Sequence, residues 1–342
     1  MAMGTRAQMC TEADDDCDGR DAGPVPMAVL ADEPRVGFDE INAALAVGGD
    51  GAHIVVCPGT WPVETAVIEG VAVRISSWSG DPEDTALDAG HLTRHLLVAD
   101  AEVTLEGLTL ENGEATPAGG SVMIRDAAVL TVTHSVFRRN RASELGGVFV
   151  SDGLLKSLAL NFDGVRFEEN AGLLYVEAAN VTAAWTDVVF DGNLDIGEGL
   201  VELTARADLD FSLSDAVVFE NRAVAAIHDG GAYFDLTGNG DAEIVVERST
   251  FEDNEAHQAL FAISTLNGGE FVLRESVFRR NVGANTSLLT ADIQTDITVD
   301  DCDFSTGTDD NSSPEFSIFR QRSRDLGDAV SFSCSAFDGC DW

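Results

Sequence analysis

Asp14, Asp16 and Asp18 alternate ahead of Gly19, with Asp21 beyond it. Alternate carboxylates before a glycine turn wrap oxygen ligands around calcium, so these four are the candidate metal ligands of the chain. The twelfth position of such a loop is Val25 rather than a bidentate Glu. That excludes a complete EF-hand and leaves two readings, a weaker calcium loop or an acidic disordered leader. His91 and His95 stand at the i, i+4 spacing of a zinc helix, but Leu92 replaces the catalytic Glu and the surroundings read as strand and turn. His134 falls at an outward position and reads as an exposed side chain. Gly-Asn-Gly-Asp at 238–241 resembles a calcium turn but stands alone, and a hairpin-like turn is the plainer reading. The chain has no GxSxG elbow, phosphate loop or dinucleotide fingerprint. With 60 acidic residues, two carboxylates at a glycosidase separation will meet somewhere by chance. Six cysteines favour disulfides, with Cys10–Cys17 and Cys334–Cys340 as local pairs. Cys57 stands near enough to the start of the fold to tie to the tail, and Cys302 reads as a buried thiol.

The 342 residues carry 20 Lys+Arg against 60 Asp+Glu, a formal net charge of −40. Such a surface repels phosphate backbones and anionic headgroups, and Lys156 is the single lysine, so nucleic acid and membrane surfaces are excluded as partners. A hydrophobic share of 44% nevertheless supplies a large core. No apolar run approaches a membrane span, and Val25 to Ala31 is too short for a signal-peptide core.

The elements that must position any site come from an internal repeat. An eight-residue block recurs, apolar at its first, third and eighth positions and small or apolar at its sixth: VTLEGLTL from Val103, LTVTHSVF from Leu130, LNFDGVRF from Leu160 and AAWTDVVF from Ala183. It continues as FSLSDAVV from Phe211, IVVERSTF from Ile244, FVLRESVF from Phe271, ITVDDCDF from Ile297 and SFSCSAF ending at Phe337. The block ends lie 23 to 33 residues apart, which suits one solenoid coil. Alternation, a jump of three, then alternation again means two short strands facing one interior across a bend. A polar turn follows each block, and Asn112, Asn140, Asn170, Asn193, Asn221, Asn254 and Asn281 are the expected corner residues, because Asn tolerates left-handed backbone and stacks from coil to coil. A third strand then opens, often with glycine, as in GGSVMI from Gly119 and GGVFVS from Gly146. The charged turns, Arg138 and Arg139 beside Glu168 and Glu169, and Glu252 and Asp253 beside Arg279 and Arg280, read as ion-pair ladders. Phe38 to Val47 places Phe38, Ile41, Ala44 and Leu45 at helical spacing and is expected to cap the first coil.

These residues carry a resemblance. The short helix, then IVVCPGTW, VAVRIS, TALDAG and VTLEGLTLENG, resembles the first coils of the right-handed parallel β-helix superfamily typified by pectin and pectate lyases. The alternation of FxxN with GGxxx strands is similar to the repeat of chlamydial-type polymorphic outer membrane proteins. The likeness covers residues 38–342, with missing glycines in later coils and shortened turns at Asn112 and Asn221 as departures. It implies an all-β, single-stranded right-handed parallel β-helix with a short N-terminal capping helix, over residues 37–342, preceded by an acidic tail, 1–36. A lyase of the superfamily would need a basic residue and calcium, and its hydrolases carry Gly-His-Gly and Arg-Ile-Lys signatures. Neither signature is present, Arg74-Ile75-Ser76 being the nearest remnant and reading as a strand. The expectation is an exported or cell-surface, non-catalytic scaffold for adhesion or ligand display, with carbohydrate or a surface protein as partner, no required cofactor, and calcium as the one candidate ion. The alternative is a polysaccharide-active enzyme, a pectate-lyase-like lyase or a glycosidase.

Overall fold

The computed structural model describes residues 26–31, 37–151, 156–194, 200–223, 233–256, 259–283, 289–291, 295–304, 319–321 and 332–335. Each coil contributes three strands to three columns that run the length of a parallel β-helix. The first column includes Phe149–Ser151, Leu174–Ala178, Val201–Ala205, Phe234–Gly238 and Phe261–Thr265. The second includes Ser157–Asp163, Asn180–Thr186, Leu209–Ser214, Ala242–Glu247, Gly269–Arg274 and Thr295–Asp300. Leu96–Glu106 and Val122–Thr133 serve both columns, turned midway by left-handed Asp100 and Asp126. Among the described residues the third column has nine strands, including Thr109–Glu111, Val136–Arg138, Arg166–Glu168, Val189–Asp191, Val217–Phe219, Thr250–Glu252 and Val277–Arg279.

The repeated block explains this arrangement residue by residue. Its first and third positions lie on the second column, its eighth on the third, and all point inward: Leu160, Phe162 and Phe167 are buried, as are Phe211, Leu213 and Val218 one turn and more along. Between them the chain turns on one left-handed residue per coil, such as Gly107, His134, Gly164, Asp187, Asp215, Arg248 and Glu275. Parallel register then puts like on like. Phe137 stacks on Phe167 at 5.5 Å, Phe167 on Phe190 at 5.1 Å, Phe251 on Phe278 at 4.8 Å and Phe278 on Phe304 at 5.1 Å between ring centroids. Each such ring contributes about 1.5–3 kcal/mol by burial alone. The sixth position holds Ser135, Ser249, Ser276 and Cys302, and Cys302 directs its Sγ to Asp300 O as Ser249 and Ser276 direct their hydroxyls to Glu247 O and Arg274 O. Cys302 is thus a buried free thiol in a serine position.

Six asparagines form a buried ladder: in Asn140, Asn170, Asn193, Asn221 and Asn254 the side-chain amide donates to Oδ1 of the next, ending on Asn281. Two expectations change here. The left-handed residue is the one before the ladder Asn (Arg139, Glu169, Gly192, Glu220, Asp253, Arg280), because Asn itself must stay extended to reach both neighbouring coils. Asn112 is not a member: it is itself left-handed, bonds Asp88, and leaves Gly113 N–H to meet Asn140 Oδ1 at 2.7 Å. Glycine is required where the coils crowd: a Cβ on Gly147 would lie 1.8 Å from Ala171 O.

At the start, helix Ile41–Gly48 covers the first coil with Ile41 and Ala44 buried. Phe38 is not in it; it lies in the strand Gly37–Phe38, paired with Ala28. The strand Ala28–Leu30, inside the stretch read as tail, runs antiparallel to Ala52–Val56 and covers the open edge of the sheet. Gly238–Asp241 is not a hairpin turn but the corner joining two consecutive strands of one coil, Phe234–Gly238 and Ala242–Glu247. Asp14, Asp16, Asp18, Asp21, Cys10, Cys17 and Cys340 lie outside the described residues, and Cys334 lies on a strand whose side chains are outside the description. Cys57 is buried and disulfide-bonded. No helix among the described residues is long and apolar enough to cross a membrane.

Candidate functional site

Because the interior is uniform, function must lie in the outward positions. On the second column these are the second and fourth residues of each block, together with the residue before the block. Over four successive coils they read Val129, Thr131, Thr133; Ala159, Asn161, Asp163; Thr182, Ala184, Thr186; and Asp210, Ser212, Ser214, each set in register with the next. Neighbouring rungs are about 4.8 Å apart. The result is a plateau of hydroxyl, amide and methyl groups, with a shallow depression of about 320 Å³ bounded by Thr131, Thr133, Asn161, Asp163, Ala184 and Thr186. Thr186 and Ser214 hydroxyls meet across rungs at 3.2 Å. In a chain of net charge −40 only two of these twelve positions are charged, Asp163 and Asp210. They stand two rungs and four residues apart, roughly 16 Å by strand spacing, which is beyond the separation of a glycosidase carboxylate pair, about 5–9.5 Å. Hydroxyls and amides both donate and accept, so this surface suits a hydroxyl-bearing, uncharged ligand.

Further along the same face the character reverses. Asp210, Glu243, Glu270 and Asp296 are in register and exposed, with no ion pair among the described residues. Asp210, Glu243 and Glu270 border a depression of about 600 Å³ shared with Asp208, Asp241 and Asn267. Adjacent rungs there do reach the separation of a retaining pair, about 5 Å.

The other residues singled out by sequence are structural. His95 is buried in the third coil: Nε2 lies 3.0 Å from Leu87 O and 3.1 Å from Glu111 O and so donates, while Nδ1 accepts from Ser121 Oγ at 2.9 Å. Burial drives its imidazole down to about 4, against the two carbonyls and the carboxylates of Asp88 and Glu111, which favour the cation. With both nitrogens occupied it offers no lone pair to zinc, and His91 turns away to lie 3.6 Å from Glu114. No cluster of three or more His, Cys, Asp or Glu among the described residues is arranged to hold a metal. Burial pushes the Cys302 thiol up to about 11. Of the two expected arginine ladders, that at Arg280 has its expected partners, whereas Arg138 and Arg139 both reach back to Glu111, at 2.8 and 2.5 Å, rather than forward to Glu168 and Glu169. Arg280 pairs with Glu252 and with Asp253 at 2.7 Å, and Arg279 with Asp303 at 3.3 Å. Arg74 pairs with Glu106 beside buried Ile75. Lys156 reaches Asp100 at 3.0 Å. Inspection of motifs did not find the plateau, since its signal is a run of small neutral residues at outward positions, legible only once the inward ones are fixed.

The class of the molecule follows from the columns: it is a parallel β-helix, in which fold leaves activity open. No family model, curated protein or solved structure matches the chain.

Proposed function

We propose that this chain is an exported or cell-surface binding scaffold, without catalysis, that presents the plateau around Thr131, Asn161, Ala184 and Ser212 to a neutral polysaccharide. The neutral surface within a strongly acidic chain is the observation that carries this reading. A glycan laid along the helix axis meets a new rung of small neutral side chains, hydroxyl, amide or methyl, every 4.8 Å or so, close to the length of one sugar unit. The surrounding carboxylates disfavour uronate polymers, which the superfamily's lyases bind. A lyase of the superfamily also needs a basic residue near its substrate, and each arginine or lysine whose side chain is described is already engaged, mostly by carboxylates.

The carboxylate ladder favours one second reading, a glycoside hydrolase using a neighbouring pair such as Glu243 and Glu270. A panel of neutral and acidic glycans, tested for retention and for new reducing ends with and without calcium, separates them. Retention of a neutral polymer without cleavage, lost in Thr131→Lys/Ala184→Lys, is the expected result. Reducing ends abolished by Glu243→Gln would establish the hydrolase instead, and calcium-dependent retention would give the acidic residues 14–21 a role.

A further inference from the structure

The outer face of the third column is covered in one half and open in the other. Over the first half the chain lays a strap of its own, the turn Pro82–Asp84. Pro82 O accepts from Thr109 Oγ1 at 2.7 Å, and Glu83 pairs with Arg138 at 3.6 Å and with Arg166 two and three coils on. There Thr109 and Val136, although they point away from the core, are fully buried. Beyond the strap the same row continues as Val189, Val217, Thr250 and Val277, in register, and Val217 is 42% exposed.

Phe219 sharpens the contrast. It is half-buried on the rung where neighbouring coils carry Asp191 and Glu252. The inward place of that coil is taken by Val218, so the phenyl stack breaks between Phe190 and Phe251, and Phe234 of the first column closes the gap at 5.9 and 6.4 Å. In this coil the aromatic stands outside and a valine inside, and Phe234 fills the core between the two phenyl stacks. Asp187 and Asp191 flank Val189 along its own coil and Glu220 follows Phe219, and none of the three forms an ion pair among the described residues. Where the chain covers this face itself, an acidic strap lies on arginines; where the face is open, the arginines beside it, Arg248, Arg279 and Arg280, are paired to carboxylates, and the charges left over are acidic. Its occupant must therefore carry apolar groups between cationic ones.

We propose that Val189, Val217 and Phe219 form a docking strip for an extended protein segment in which apolar and basic residues alternate, a surface independent of the glycan reading. The test uses a labelled, end-capped peptide of alternating lysine and valine, followed by fluorescence anisotropy on the full chain. The variant Val217→Thr/Phe219→Glu installs what Thr250 and Glu252 already carry one rung on, so it keeps the coil, which its unfolding midpoint verifies. It also adds negative charge, so simple attraction would strengthen binding. The expected result is at least a tenfold weakening in that variant, no weakening in Glu243→Gln/Glu270→Gln, and no binding of a glutamate–valine peptide. Equal or tighter binding by Val217→Thr/Phe219→Glu would overturn the proposal. So would a wild-type protein that binds no lysine–valine peptide at low salt, or one that self-associates through this face in sedimentation, since a second copy would then be the occupant.

Discussion

Replacing Asn170 by alanine tests whether the ladder, rather than the aromatic stack, fixes coil on coil. Asn170 Nδ2 donates to Phe137 O at 2.9 Å and to Asn193 Oδ1 at 3.0 Å, while its Oδ1 accepts from the backbone N–H of Asn140 at 2.9 Å and from Asn140 Nδ2 at 3.1 Å. One side chain thus ties three coils. Asn140 Nδ2 keeps Leu110 O, and Asn193 Oδ1 keeps the Asn170 N–H, so those two groups are compensated in the variant. The Asn140 N–H loses its partner in a buried place, at about 1–3 kcal/mol, and Phe137 O, which stays in the strand ladder, loses one bond worth about 1 kcal/mol. The expected loss is therefore about 2–4 kcal/mol. Asn112→Ala is the internal control: it gives up a bond to Asp88 at a part-buried corner, worth about 1 kcal/mol, and has no ladder role. Urea unfolding followed by far-ultraviolet circular dichroism measures both, with the two midpoints compared at a common slope. A ladder variant no more destabilised than Asn112→Ala would refute the reasoning, because turn conformation alone would then account for the repeated asparagine.

Three other outcomes follow from the same geometry. His95 binds its proton at about 4 in the fold against about 6.5 when unfolded, so the unfolded chain holds more protons between those values. Stability should fall by about 3 kcal/mol as pH drops from 6.5 to 4, and His95→Gln should flatten that slope in denaturation profiles taken across the window. Phe167→Asp places a charge between Phe137 and Phe190, and the fold should lose several coils together in hydrogen exchange; protection unchanged in coils on either side would reject the inward register. Cys302 should resist alkylation at neutral pH until the chain unfolds, and Cys302→Ser should shift the midpoint little, since serine occupies the same place at Ser249 and Ser276.

The interior was legible from sequence because parallel register repeats one demand at one position. Val103, Leu130, Leu160, Phe211 and Phe271 could be assigned inward before any coordinates, and each is buried. Asn112 misled because its tripeptide LEN mimics the corner motif by type, while register is set by Glu111 lying opposite Arg138. Phe38 misled for the opposite reason: helical spacing is a local signal, and pairing of Gly37–Phe38 with Ala28–Val29 overrode it. The plateau and Phe219 were invisible to motif reasoning. A threonine or a phenylalanine means little until the face it occupies is known, and no local pattern reveals that Val218 has displaced an aromatic from the stack.

A solenoid built this way separates its obligations in space. Phenylalanine stack, serine row and asparagine ladder all lie inside, where each coil must match the last, so the outward positions can vary coil by coil with little effect on the fold. That freedom makes the departures informative. Ionic neighbours would have served the sheet equally well at Thr131, Asn161 and Ala184, as they do at Glu247 and Arg274, yet charge is withheld there. At Phe219 charge is withheld again and a half-buried apolar ring takes its place, while at Asp210, Glu243, Glu270 and Asp296 like charges are stacked against their own repulsion. Three stretches of one scaffold's surface, two of them successive on the same face, thus each violate, in a different chemical direction, the economy that the ion-paired coils obey. A pure spacer would require none of these departures, and their confinement to distinct stretches of surface is the reason for proposing a binding role for the β-helix.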